Sequence, residues 1–482
     1  MHGQPSLFTM KMIFELCALM VIWCSPAISQ ETPHLICGTC ECLYHTSPFD
    51  VDCRNQELHE IPDLTPNNIS YPWILNFDNN LIQEVSVFPR QDSLLSLTLR
   101  RNRITKINDG AFQNLVQLKE LYLQKNLLTG DMITNNVFKG LYNRTVQEPL
   151  GLEVLDLGYN NITSINKNAF VHLRSLKKLL LPHNPIKDIS FSTAVAINEL
   201  VNLQELDLSQ TGINRLPDHF LTDLRNLQVL ILAGNNFNTV PEEVNYAQNL
   251  RLLNLNANPI ISLTLGDFQE RLNTLRILEI SAMPDLRNVG ARTFSNLKSL
   301  EILKMSDCPA LEVIDSQAFY VMDGDELALK EIHIQDNQLK ALSKDMLQWL
   351  DLQLVDIQNN PWNCDCQFRW VAEKLIPDLE RKNPELTLSI LCAYPANVRG
   401  TPVIDILSHR DGFACRRPGV DEDLALFGPL SISIIVVGVL LLLTGSMVFA
   451  YVLFRRSQSR LFFGETVKYR RAQNEDTEAV AS

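Results

Sequence analysis

The sequence predicts an α/β solenoid, a curved parallel β-sheet horseshoe with disulfide-stapled caps, plus one transmembrane helix. Three observations carry this. Between Pro72 and Pro361 the phrase apolar-x-x-apolar-x-apolar-x-x-Asn-x-apolar recurs twelve times, most clearly as Leu94-Leu97-Leu99-Asn102-Ile104 and Leu152-Leu155-Leu157-Asn160-Ile162. Eight cysteines fall in two groups of four that bracket the repeats. Residues 427–454 contain no charge.

Each phrase reads physically as a short strand with leucines on one face, followed by an asparagine that turns the chain and bonds backbone groups of neighbouring coils. One coil cannot bury its own leucines, so coils must stack, leaving a long sheet with a free inner surface. The column at the turn runs Asn80, Asn102, Asn126, Asn160, Asn184, Thr211, Asn235, Asn258, Met283, Cys308, Asn337 and Asn360, mostly in steps of 22 to 25 residues. Later in each coil Phe112, Phe138, Phe170, Phe220, Phe268, Phe294 and Phe319 predict an aromatic spine beneath the convex side. The phrase resembles the leucine-rich repeat, and the fold this implies is a leucine-rich repeat solenoid at 72–361.

The rest of the chain places that solenoid. Lys11 precedes the apolar run 12–24, and Ala27-Ile28-Ser29 is a small-residue cleavage site, so residues 1–29 read as a signal peptide. The uncharged run 427–454 exceeds the roughly 30 Å hydrocarbon layer at about 1.5 Å per residue. Arg455 and Arg456 follow it and Asp421, Glu422 and Asp423 precede it, which predicts a cytoplasmic tail at 455–482 and a single-pass type I protein of the plasma membrane. A stalk at 417–426 joins the span to a C-terminal cap at 362–416, and an N-terminal cap occupies 30–71. The tail carries six Lys or Arg against four Asp or Glu, so the formal charge of −13 belongs to the ectodomain. That argues against nucleic acid or heparin as the main ligand.

Open solenoids expose leucines at each end, and small caps in an oxidising compartment are commonly stapled by disulfides. Cys37, Cys40, Cys42 and Cys53 form one group, and Cys364, Cys366, Cys392 and Cys415 the other. Each group of four allows three connectivities. Cys37-Gly-Thr-Cys-Glu-Cys and Asn359-Asn-Pro-Trp-Asn-Cys-Asp-Cys366, with Phe368 and Trp370, resemble the two caps of extracellular leucine-rich repeat proteins. The resemblance spans about residues 37–415. It implies the pairs Cys37–Cys42, Cys40–Cys53, Cys364–Cys392 and Cys366–Cys415. Cys308 stands in the asparagine column, which predicts a buried structural thiol. Met283 and Cys308 each begin a coil with one extra residue before the next leucine, which predicts an irregularity there.

Residues flanking and between the strand leucines point to the concave face. The position before the first strand leucine is apolar in four consecutive coils, Val229, Leu252, Ile277 and Ile302, and Ile231 widens the ribbon in the next column. Asp207, Asn254, Glu279, Lys304 and His333 surround it, as expected of a protein-binding patch. A second candidate lies further N-terminal, at Arg100, Arg101, Tyr122, Lys125 and Tyr159. Sequons mark Asn68, Asn143 and Asn161 for glycosylation, and the step of 34 residues from Asn126 to Asn160 predicts a loop projecting over 127–149.

No His-Glu-x-x-His, Gly-x-Ser-x-Gly, phosphate-cradling loop or paired metal ligands occur, so the expectation is a non-enzyme with no cofactor, no metal and no catalytic residues. The tail is too short for a folded signalling domain. The reading is a cell-surface adhesion or recognition protein whose concave face binds an extracellular or cell-surface protein, a second copy of itself included. The alternative is a ligand-sensing receptor or co-receptor of the innate-immunity type that signals through a partner; a shed or matrix-organising role ranks third.

Overall fold

The computed structural model describes residues 35–43, 46–65, 69–322, 327–408, 413 and 429–460. The signal peptide, the stalk, most of the tail, Asn68 and Cys415 lie outside them. The chain divides into two compact units, Met1–Phe413 and Ala414–Ser482.

The first unit is a solenoid built on a fourteen-stranded sheet. Twelve strands come one from each repeat, from Trp73–Asn76 and Leu94–Thr98 to Leu354–Asp356, all parallel to their neighbours. The N-terminal cap adds the other two. Phe49–Asp52 continues the parallel ladder beside Trp73–Asn76, and Glu41–Leu43 closes it antiparallel. The leucines of adjacent coils, such as Leu206, Leu230, Leu253, Leu278 and Leu303, are fully buried and face one another strand to strand.

The asparagine column does what its chemistry allows. Asn126 donates through Nδ2 to the carbonyls of Leu123 in its own coil and Leu99 in the previous one, at 2.9 and 2.8 Å. Its Oδ1 accepts from the Ile104 N–H at 3.1 Å. Asn102, Asn160, Asn184, Asn258 and Asn360 repeat the pattern. Where the column holds asparagine, buried backbone groups of two successive turns are thus satisfied by one amide. Thr211 Oγ1 donates to Leu208 O in its own coil and lies 3.0 Å from Asn235 Oδ1 in the next, and Cys308 makes long sulfur contacts to the Ile280 and Ser306 carbonyls. Burial pushes the Cys308 thiol up to about 11.

One residue before each column position, the backbone of all twelve coils turns left-handed, with φ between 53° and 64°. Only Gly234 is a glycine; the others include Lys125, Tyr159, His183 and Ala257. A left-handed non-glycine residue costs roughly 1–2 kcal/mol, so the ladder must outweigh that strain at nearly every turn.

The irregularity expected at Met283 and Cys308 does not disturb the sheet, whose register runs unbroken from Leu252 through Ile277 and Ile302 to Glu331. On the outer side of these coils Ser262–Leu263, Asn288–Val289 and Val313–Ile314 form a small second parallel sheet, as Glu84–Val85 and Lys106–Ile107 do in the first coils. Elsewhere the convex side is mostly turns and short 3-10 segments. One α-helix, Phe191–Asn198, stands among the repeats, capped by the Ser190 hydroxyl. The aromatic spine stacks in two runs, Phe88–Phe112–Phe138–Phe170 and Phe268–Phe294–Phe319. Phe220 is buried between them.

The long third coil holds an antiparallel hairpin, Lys139–Asn143 with Val146–Pro149, where the sequence suggested a loop. It also docks Gly130 against the next coil, where a Cβ would lie 1.7 Å from the Ser164 carbonyl oxygen.

The C-terminal cap closes the stack with stacked aromatics, Trp362 on Phe368 and Trp349 beside Trp370. Lys382 Nζ donates to the Leu350 and Leu352 carbonyls at 2.8 Å each. In the second unit the helix Pro429–Arg460 contains the stretch Val437–Arg456, long and apolar enough to cross a membrane.

Replacing Asn126 with Ala leaves the Ile104 N–H unpaired in a dry core and strips the Leu99 and Leu123 carbonyls of the shorter of their two amide bonds, leaving those from Asn102 and Asn160. The expected cost is about 2–4 kcal/mol, read as a lower denaturation midpoint with an unchanged far-UV spectrum. A midpoint equal to that of the parent would refute the ladder's energetic role.

Candidate functional site

The inner surface of the sheet is set by alternation: from Glu205–Asp207 to Glu331–His333 the middle Leu or Ile of each sheet strand is buried and its two neighbours face inward, half-buried. Strand pairing places Val229 opposite Leu252, Leu252 opposite Ile277, and Ile277 opposite Ile302. The four side chains therefore form one apolar ribbon roughly 14 Å long, at about 4.8 Å per strand. Ile231 adjoins it in the second column, between Asp207 and Asn254.

Several of the polar groups around the ribbon already engage one another. Glu205 at one end takes Lys178 Nζ at 2.7 Å, and Glu331 at the other lies 3.7 Å from His333 Nε2. Along the side, Glu279 accepts from Lys304 Nζ at 2.8 Å and from Asn254 Nδ2 at 2.7 Å. With these polar groups committed to one another, the ribbon is the part of this surface with the most to gain from losing water.

Four of the five N-terminal candidate residues also meet, as two cation–π pairs. The Arg100 guanidinium sits 4.3 Å over the Tyr122 ring, and Lys125 Nζ 4.9 Å over Tyr159. Tyr159 in turn stacks on His183 with centroids 4.0 Å apart. His183 was not among the residues singled out from sequence, although its place directly before Asn184 matches that of Tyr159 before Asn160. Below this cluster burial raises the pKa of Asp156 and of Asp207, against the lowering effect of bonds to Gly158 and Ser209.

The caps hold Cys37–Cys42, Cys40–Cys53 and Cys364–Cys392 as disulfides. Cys366 is also disulfide-bonded, and its expected partner Cys415 is outside the described residues. Asn143 sits exposed beside the hairpin turn, with Nδ2 3.0 Å from Glu148 Oε1, and Asn161 is exposed next to the fourth turn. Among the described residues no cluster of His, Cys, Asp or Glu could hold a metal ion.

A carboxyl whose folded pKa lies above its unfolded value weakens folding once the pH exceeds both. Asp156→Asn, whose amide oxygen can still accept from the Gly158 N–H, is therefore expected to raise the melting temperature at neutral pH. The gain should shrink as the pH falls through the folded pKa; a gain that persists in acid would contradict the burial argument.

Known proteins agree with this architecture. The leucine rich repeat family matches residues 73–128, 92–143, 132–186 and 201–269, and the BspA type leucine rich repeat region matches 261–363. Podocan of Mus musculus is 29% identical over 70% of this chain and 54% of its own length. Lumican of Coturnix japonica is 33% identical over 34% of this chain and 49% of its own, and keratocan of Mus musculus 29% identical over 46% and 58%. The chain thus spans about half the length of these relatives. Among solved structures, a TLR13–ssRNA13 complex superposes with a TM-score of 0.49 at 24% identity, covering 67% of this chain and 48% of that one. A Leptospira interrogans leucine-rich repeat protein gives 0.46 at 24% identity, covering 64% and 78%. On the family matches and the repeat geometry together, the chain belongs to the leucine-rich repeat family.

Proposed function

We propose that this is a single-pass cell-surface protein that binds another protein, on the same or a neighbouring cell, through the ribbon Val229–Leu252–Ile277–Ile302 with Ile231. The observation that carries the proposal is the register: four consecutive strands bring apolar side chains into one continuous inner strip whose polar neighbours are engaged with each other. A partner presenting a complementary apolar ridge buries that strip without breaking an ion pair. Lys304 and Glu279 then form part of a rim that excludes water from it.

The apolar stretch Val437–Arg456 supports membrane anchorage, with the repeats outside and Arg455 and Arg456 at the cytoplasmic edge. Disulfides at both ends of the repeats support the same placement, since they persist in oxidising compartments. Tethering raises the effective concentration of two facing ectodomains, so a modest contact suffices for adhesion. A glycan on Asn143 would stand at the hairpin of the third coil and leave the ribbon open.

The full chain displayed on cells should capture its partner from a panel of multivalent cell-surface ectodomains, its own included. Ile277→Arg should abolish that capture while surface level and melting temperature stay close to those of the parent. Undiminished capture by the arginine variant would remove the ribbon from the account, and capture of soluble ligands alone would favour a sensing receptor.

A further inference from the structure

Away from the inner face, the outer flank of coils six to eight carries a recess of about 500 Å³ that the ribbon does not use. Its walls include His219, Arg225, Tyr246, Asn249 and Arg271, with Thr222 and Gln248 completing them, and no carboxylate among them. In a chain of net charge −13 that composition is unusual.

The residues come from three coils and are held in place by the fold. Asn249 Nδ2 donates to the Arg225 carbonyl at 2.7 Å, and Thr274 Oγ1 to the Gln248 carbonyl at 2.9 Å, which ties each coil to the next along this edge. Tyr246 sits between the other two elements, its ring 5.7 Å from that of His219 and 5.4 Å from the Arg271 guanidinium. Among the described residues neither Arg225 nor Arg271 enters an ion pair, whereas Arg276 and Lys330 both pair with Glu301. Two guanidiniums without anions thus face one recess.

We infer that this recess binds the sulfate or phosphate ester of a small saccharide. The guanidiniums supply charge-assisted, fork-shaped donors for a tetrahedral oxyanion, and His219 adds a third donor. The amide of Gln248, the amide oxygen of Asn249 and the hydroxyl of Thr222 match sugar hydroxyls, and the volume exceeds what a bare ion needs. The surroundings select a short ligand over a long polyanion. Glu270 lines the adjoining groove, and Asp218, Glu242 and Glu243 gather on the His219 side, so an extended chain of sulfates would run into negative charge.

The full chain in detergent micelles can be titrated with N-acetylglucosamine 6-sulfate, its 6-phosphate, the unmodified sugar and inorganic sulfate, read by ligand-observed NMR and calorimetry. The sulfated or phosphorylated sugar should bind, whichever is tighter naming the source, and the unmodified sugar should not. Arg225→Gln and Arg271→Gln should each weaken binding roughly tenfold, the loss of one charge-assisted hydrogen bond, while Arg215→Gln outside the recess should not. Both arginines are exposed, so melting temperatures should match the parent. Absence of binding at about 10 mM ester, or affinities unmoved by both substitutions, would overturn the inference. Inorganic sulfate binding as tightly as the ester would overturn the saccharide assignment.

Discussion

The structure depends on one hydrogen-bonding unit, the asparagine amide shared between successive turns. A parallel sheet assembled one short strand at a time leaves each turn with buried carbonyls and N–H groups that the strand ladder does not satisfy. Asn80, Asn102, Asn126, Asn160, Asn184, Asn235, Asn258, Asn337 and Asn360 satisfy them across the coil boundary, donating to two carbonyls. Leucine burial supplies the driving force, but it is non-directional. The amide ladder fixes which residue sits over which, and hence the register of the inner face.

Function follows from register. Each strand contributes two half-buried inner positions, so a surface patch is assembled from residues more than twenty apart in sequence. Val229, Leu252, Ile277 and Ile302 are a ribbon only because their coils do not slip; a shift of one residue would replace them with buried leucines and break the strip. The same arrangement sets the flank, where Arg225, Tyr246 and Arg271 meet from three turns. Rigid stacking thus lets one solenoid carry two chemically different surfaces, one apolar and one cationic.

Much of this was legible in the sequence because it repeats. The leucine spacing gives the strands, the asparagine column gives the turns, and period-two alternation gives the ribbon. What does not repeat was harder to read. The hairpin at 139–149 is a single insertion, with no second copy to expose its pairing. The outer sheet of Ser262–Leu263, Asn288–Val289 and Val313–Ile314 is made of two-residue strands too short to leave a periodic mark, and it depends on three coils at once. The left-handed column has almost no compositional mark, since Gly234 is its only glycine and the strain at Lys125 or His183 is imposed by the ladder. The Tyr159–His183 stack is a consequence of that column, which is why His183 escaped notice. The basic recess combines residues from turns of unequal length, so no fixed spacing reveals it.

The central claim is that the amide ladder, rather than leucine packing alone, holds the coils in register, and native-state hydrogen exchange tests it most directly. The amides of Ile82, Ile104, Leu128 and Ile162, each bonded to the asparagine of the next coil, should be among the slowest to exchange. Protection should dip at Ile260, where the following column residue is Met283 and offers no acceptor. Uniform protection across both sets would contradict the account and assign the register to leucine packing.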